Sequence, residues 1–278
     1  MKGKKEISTY DSPLKGQGGL TVVKIGGNVI DNSKNLHEFL KSFIDLPGYK
    51  ILVHGGGKVA TKLSDELGIE AKMVDGRRIT DIETLRIVTM VYGGLINKNI
   101  VAQMQSYGSN AIGLTGADGN LIKAKKRPVK DIDFGFVGDL DENSVNSDFL
   151  SNLLRIGAVP VFAALTHDGD GQLLNTNADT IASSIAVALS KNFETSLIYC
   201  FEKKGVLKDV DDDDSVISEI KSSEFDTLKD QGIIAGGMLP KVHNAFAAIK
   251  NGVKDVYIGK ADELELLKNQ SFGTRLIE

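Results

Sequence analysis

The sequence predicts an α/β fold with a mainly parallel central sheet covered by helices on both faces. Two observations carry this. Strand-like and helix-like segments alternate along the whole chain. Two early strands also open onto glycine turns, at Gly26-Gly27 and at Gly55-Gly56-Gly57. Glycines at a strand-to-helix turn let backbone N–H groups approach an anion at a positive helix N-terminus, so the triple-glycine loop is a candidate for phosphate chemistry.

Leu20 to Ile25 reads as the first strand, broken by Gly26-Gly27-Asn28. Leu36, Phe39, Leu40, Phe43 and Ile44 recur at helical spacing, which predicts a helix over Lys34 to Leu46, closed by Pro47-Gly48. The strand Lys50 to Val53 and the helix Val59 to Leu67 flank the triple glycine. An irregular stretch holds Gly76-Arg77-Arg78-Ile79, and Thr80 to Glu83 has capping-box spacing for a long helix to about Tyr107. Ala111 to Leu114 reads as a strand, and Leu121 to Lys125 with Phe134 to Val137 as a small hairpin region on the edge of the main sheet. A helix from Asn146 to Ile156 leads to the strand Val159 to Leu165, a turn at Asp168 to Gly171, and a short return strand to Asn175.

Asn177-Ala178-Asp179-Thr180 caps a helix to about Ser190. The strand Ser196 to Phe201, a helix from Ser223 to Gln231 and a helix that holds Lys241 early and runs to Lys250 follow. The chain closes with the strand Val256 to Gly259, a helical piece near Leu264 to Leu267, and an edge strand, Thr274 to Ile277. Residues 1 to 19 are polar, with no apolar period, and read as a flexible tail. No linker separates independent domains, so two lobes sharing one sheet are expected over 20 to 278.

A chain of 278 residues has ample core for one large or two-lobed unit. Net charge is −4, which argues against a nucleic-acid partner, and the Lys123 to Lys130 cluster reads as a solvated hairpin and loop. The single cysteine, Cys200, lies in an apolar run and reads as a small buried hydrophobe. With no possible internal disulfide, no signal peptide and no long apolar span, a cytoplasmic setting without membrane contact is expected. The acidic run Asp209 to Asp214 matches no calcium loop and reads as a solvated loop, and no residue is assigned to a metal.

Three features converge on chemistry. Lys24 stands late in a strand just before a double glycine, where a ligand can meet it. In the triple-glycine loop the Gly55 and Gly56 amides carry the functional reading, while His54 reads as a satisfied structural histidine. Asp179 lies in the first turn of a helix, and Lys241 lies early in its own helix against the dipole preference. Neither a Walker A loop nor the protein-kinase signature occurs, and the triple glycine lacks the spaced third glycine of a dinucleotide site.

Lys24-Ile25-Gly26-Gly27, His54-Gly55-Gly56-Gly57, Gly76-Arg77-Arg78-Ile79-Thr80, Asn175-Thr176-Asn177-Ala178-Asp179 and Gly237-Met238-Leu239-Pro240-Lys241 occur in that order. The pattern resembles the amino-acid kinase superfamily and, within it, the N-acetylglutamate kinase family of arginine biosynthesis, from about Leu20 to the end. The resemblance implies a three-layer αβα sandwich with an acyl-amino-acid lobe (20–190) and an ATP lobe (191–278). It also implies ATP-dependent phosphorylation of the γ-carboxylate of N-acetyl-L-glutamate, with Mg²⁺. Lys24 and Lys241 would then flank the transferring phosphoryl group, with Asp179 between them and the Gly27, Gly55 and Gly56 amides donating to it. Arg78 and Asn175, with Asn177 in the same motif, would hold the substrate. Glu202, Lys203, Lys204, Gly205, Val206 and Leu207, with Ile233, Ile234 and Ala235, would form the nucleotide loops. The physics agrees: a carboxylate is already a nucleophile, and cations and amides relieve its repulsion from a triphosphate.

Glu202 departs from the aspartate common in the family, and Ala235-Gly236-Gly237 differs from some members. The arginine-inhibited members carry an N-terminal amphipathic helix that builds a hexamer. Its period is missing here, so an arginine-insensitive homodimer is expected. The alternatives are a sister kinase for N-succinylglutamate, for which a larger or basic pocket near the substituent would speak, or for a carrier-linked aminoadipate, and a non-catalytic effector-binding relative. Lys58 reads as a surface residue.

Overall fold

The computed structural model describes residues 19–74 and 76–278. The expected tail at 1 to 19 lies, except for Gly19, outside the described residues. Eight strands form one sheet: β1 (Leu20–Ile25), β2 (Tyr49–His54), β3 (Ala111–Leu114), β4 (Val159–Ala163), β5 (Thr195–Phe201), β6 (Glu219–Lys221), β7 (Asp255–Lys260) and β8 (Thr274–Ile277). Their order is β6-β8-β7-β5-β1-β2-β4-β3. Every pairing is parallel except β7 with β8. β1 lies between β2 and β5, with Lys24 opposite Val53 on one side and Tyr199 on the other. That register sets the two glycine turns side by side beyond the carboxyl ends of the strands, where open α/β sheets bind ligands.

Helices cover both faces. One layer holds α1 (Ser33–Ile44), α2 (Gly57–Glu66), α3 (Ile82–Val88) and α4 (Asn97–Ser106), with α3 packed on α2, α4 packed on α1, and a 3₁₀ segment Ala261–Asn269 also packed on α1. The other holds α5 (Ser147–Arg155), α6 (Ala178–Ser190) and α8 (Met238–Lys250), with α7 (Phe225–Asp230) at its side. Leu36, Phe39, Leu40 and Phe43 of α1 are buried at the expected spacing. Lys50 ties the end of α1 to β2 by donating to the Ile44 carbonyl at 2.6 Å. Val22, Val23 and Ile25 of β1 are fully buried, as a strand covered on both faces must be.

Four sequence-based expectations are corrected. Thr274 to Ile277 is an interior strand; the edge is β6, whose single apolar residue, Ile220, gives no strand pattern to read. The Leu121–Val137 region does not extend the main sheet. Lys125–Lys126 pair with Gly138–Asp139 as a separate ribbon, and single bridges tie the region to Thr80, His167 and Asn175. Gly135 permits this at a φ of +72°, with its backbone so close to the Thr80 carbonyl that a Cβ would sit 2.2 Å from it. The expected strand to Leu165 ends at Ala163, and Leu165–His167 turns back to pair antiparallel with Leu173–Asn175. The expected long helix to Tyr107 contains eight π-helical residues, Thr89–Ile96, between α3 and α4.

Candidate active site

Asp179, in the first turn of α6, joins two lysines from different elements. Its Oδ1 lies 2.7 Å from the Lys24 ammonium at the end of β1, and Lys241 of α8 donates to its Oδ2 at 2.8 Å. Burial pushes the Asp179 carboxyl up, but the charges of Lys24 and then Lys241, with their hydrogen bonds, outweigh it and hold the group at about 2. The carboxylate is therefore charged throughout the neutral range, and the triad carries one net positive charge. Such a group orients two cations; it is no proton acceptor.

The triad borders a cleft of about 390 Å³ lined by Gly55, Gly56, Gly57, Arg78, Asn175 and Lys241 among others. Gly56 is required by space. A Cβ there would lie 2.3 Å from Ile96 Cδ1 and 2.9 Å from Tyr92 Cδ1, both on the π-helical stretch. His54, just before the loop, is fully buried. Its Nδ1 donates to the Gly55 carbonyl at 2.8 Å while Nε2 accepts from the Asn97 amide at 3.0 Å. Burial lowers its pKa to about 4, so the ring stays neutral and serves to fix the loop.

Arg78 is buried beneath the cleft wall. Its Nη2 donates to the Gly57 carbonyl at 3.0 Å and to Thr61 Oγ1 at 2.7 Å, while the buried Nη1 makes no well-aligned hydrogen bond and the guanidinium acts on the neighbouring Tyr92 hydroxyl. A buried guanidinium nitrogen with no well-aligned bond beside a cleft fits a carboxylate ligand. Asn175 donates to Thr80 Oγ1 at 3.0 Å. Thr80 is free for this because Asp81, not Thr80, caps α3, accepting from Thr84 N at 2.8 Å. Asn177 is the N-cap of α6, accepting from Thr180 N at 3.0 Å, so its side-chain oxygen serves the helix.

Arg127 also lines the cleft, although its charge cluster reads as solvated in the sequence. Asp139 grips it at 2.6 and 3.0 Å, and the guanidinium lies over the Phe134 ring. Both partners lie on the later segment around Gly135, Phe134 just before it and Asp139 in the ribbon. Only that returning segment could have revealed its place in the cleft wall.

Gly27 does not line the cleft and adjoins the triad through the turn it shares with Gly26. None of the expected nucleotide-loop residues lines the cleft either. Glu202 is exposed. Lys203 donates to Asp213 at 2.8 Å and Lys204 to Asp214 at 2.6 Å, so the acidic run folds back on this loop. Gly205 packs against Thr274, whose hydroxyl accepts from Val206 N at 2.8 Å, and Leu207 pairs with Val216. Ile234 is buried, Ile233 half-buried and Ala235 exposed. Burial pushes the Cys200 thiol up to about 12, which leaves it inert.

The amino acid kinase family profile matches residues 19–260, and the chain belongs to that family. The chain is 57% identical over 255 residues to the acetylglutamate kinase of Phocaeicola vulgatus, covering 92% of this chain and 97% of that one. It is 58% identical over 261 residues to the acetylglutamate kinase of Cytophaga hutchinsonii, covering 93% and 98% respectively. Its fold matches that of N-acetylglutamate synthase from Neisseria gonorrhoeae complexed with coenzyme A and N-acetyl-glutamate. That match has a TM-score of 0.78 at 21% identity, over 94% of this chain and 60% of that one. No helix among the described residues is long and apolar enough to cross a membrane.

Proposed function

We propose that this chain is an acetylglutamate kinase, transferring the γ-phosphoryl group of ATP to the γ-carboxylate of N-acetyl-L-glutamate in arginine biosynthesis, in the cytoplasm. The observation that carries the reading is the Lys24–Asp179–Lys241 triad beside a cleft holding the buried Arg78 nitrogen. A carboxylate oxygen of the acceptor bonds to the γ-phosphorus as the bond to the bridging oxygen breaks, and ADP leaves with that electron pair. No proton moves, so no base is required, in keeping with a neutral, buried His54. Lys24 and Lys241 spread positive charge over the transferring group, and the Gly27, Gly55 and Gly56 amides donate to it. Arg78 and Asn175 hold the acceptor in the 20–190 lobe. The 191–278 lobe holds the nucleotide through Glu202 to Leu207 and Ile233 to Ala235.

The donors around the cleft are ammonium groups, guanidinium groups and amides, and the Asp179 carboxylate is already shared by two lysines. Such a site suits Mg²⁺ that arrives on the nucleotide's phosphates, the usual mode for this ion. It supplies further charge neutralisation there.

Arg77 and Arg127 also line the cleft, Arg127 with its charge met by Asp139, and the exposed Arg77 favours a second reading, N-succinylglutamate, whose acyl group carries its own carboxylate. Side-by-side assay of ATP-dependent acyl phosphate formation with the two acyl-glutamates separates them. Turnover with neither refutes the proposed activity. Arg78→Ala is expected to raise the acyl-glutamate KM about 10- to 100-fold, the loss of a charged hydrogen bond, with a smaller effect on kcat. An unchanged KM moves the substrate site elsewhere.

We also place the chain in a homodimer. The free edge strand β3 exposes Ile112, and the nearby helical segment exposes Met90 and Leu95, each about half accessible or less. Monomer mass by light scattering refutes this, and inhibition by millimolar arginine refutes the expected insensitivity.

A further inference from the structure

Lys58 follows the triple glycine in the first turn of α2, where the helix dipole disfavours a cation. Its side chain leaves its own turn and crosses to the other one. Cγ and Cδ lie 3.5 Å from where a Cβ on Gly27 would sit, and the ammonium donates to Asn28 Oδ1. On the adjacent Gly26, a Cβ would sit 3.7 Å from the Lys24 ammonium. Neighbouring residues of one turn are thus flanked by two lysines.

These lysines differ in how their charge is countered. Lys24 and Lys241 share Asp179. Lys58 rests on a neutral amide and takes part in none of the ion pairs among the described residues. Asp31, on the same side of Gly27, is raised by burial and lowered by the Lys58 charge, yet stays beyond ion-pair distance. Lys58 is exposed, so its ammonium can turn while its stem stays on the glycine. The triad's net charge of +1 is small against a triphosphate facing a carboxylate, and an uncountered lysine beside it would add to that charge.

We propose that Lys58 is a further catalytic cation of the phosphoryl-transfer site, its ammonium leaving Asn28 for the terminal phosphates of the nucleotide. This rests on the phosphotransfer reading above. Lys58→Met is expected to lower kcat about 10- to 100-fold, with the acyl-glutamate KM within about twofold of wild type. Lys58→Arg, which keeps the charge, restores most of the loss. By calorimetry, Lys58→Met binds ATP about tenfold more weakly and AMP unchanged, since AMP lacks the terminal phosphates. A kcat within about twofold of wild type, or equal losses for ATP and AMP, overturns the assignment. Absence of acyl phosphate formation by the wild-type chain defeats the phosphotransfer reading, while the ATP–AMP comparison still decides the Lys58 contact.

Discussion

Alanine at Lys24 or at Lys241 is expected to lower kcat by about 10²- to 10³-fold, the range found when one preorganised charge-stabilising donor is removed. The acyl-glutamate KM is expected to move far less, because in the proposed site Arg78 and Asn175 hold the acceptor and neither variant touches them. The two losses do not add. Each lysine is oriented by the same carboxylate, and without one of them Asp179 neutralises the other more fully. The double variant therefore falls short of the product of the single losses. Steady-state kinetics on the three variants checks this; near-normal turnover in either single variant refutes the catalytic assignment.

Asp179→Asn should lower both activity and stability, and its effect on stability depends on pH with a definite sign. The carboxyl is held at about 2 in the folded chain against an ordinary 3.8. A depressed value means that the unfolded chain binds the proton more readily, so the ionised group contributes about 2 kcal/mol above pH 4 or so. That contribution is lost as pH falls through 4 towards 2. The wild type should therefore melt above Asp179→Asn at pH 7, and the gap should close on acidification, because a protonated Asp179 counters the lysines no better than asparagine does. Melting curves at several pH values test this. A gap independent of pH would mean that the carboxylate's charge contributes nothing to the fold.

What was legible in the sequence follows the length and apolar density of each segment. β1, β2, β5 and β7 each centre on a short apolar run beside glycines or polar breaks, and their places are readable from local pattern alone. β6 is not, because one buried isoleucine between two exposed residues has no period. Lys24, Asp179 and Lys241 could be singled out one by one, from a double glycine and from helix-end charges. Their meeting depends on β1, α6 and α8 converging, and only the family resemblance placed the carboxylate between the lysines. Arg127 was hidden by the opposite effect. Its neighbours in sequence are solvated cations, and its partners Asp139 and Phe134 come from a later segment. Lys58 looked like a surface residue and is indeed exposed, but where its stem lies depends on a turn 30 residues away.

The π-helical stretch Thr89–Ile96 has a consequence for inheritance. One residue added to or removed from an α-helical segment turns everything downstream by about 100°. Asn97, which begins α4, must face both His54 and the Val161 carbonyl, to which it donates at 3.0 and 2.9 Å. Shortening Thr89–Ile96 by one residue would swing that amide away from the histidine and withdraw Tyr92 and Ile96 from Gly56. The segment therefore tolerates exchanges of side chain better than changes of length. In descendants of this gene, its residue count should be kept more strictly than its letters.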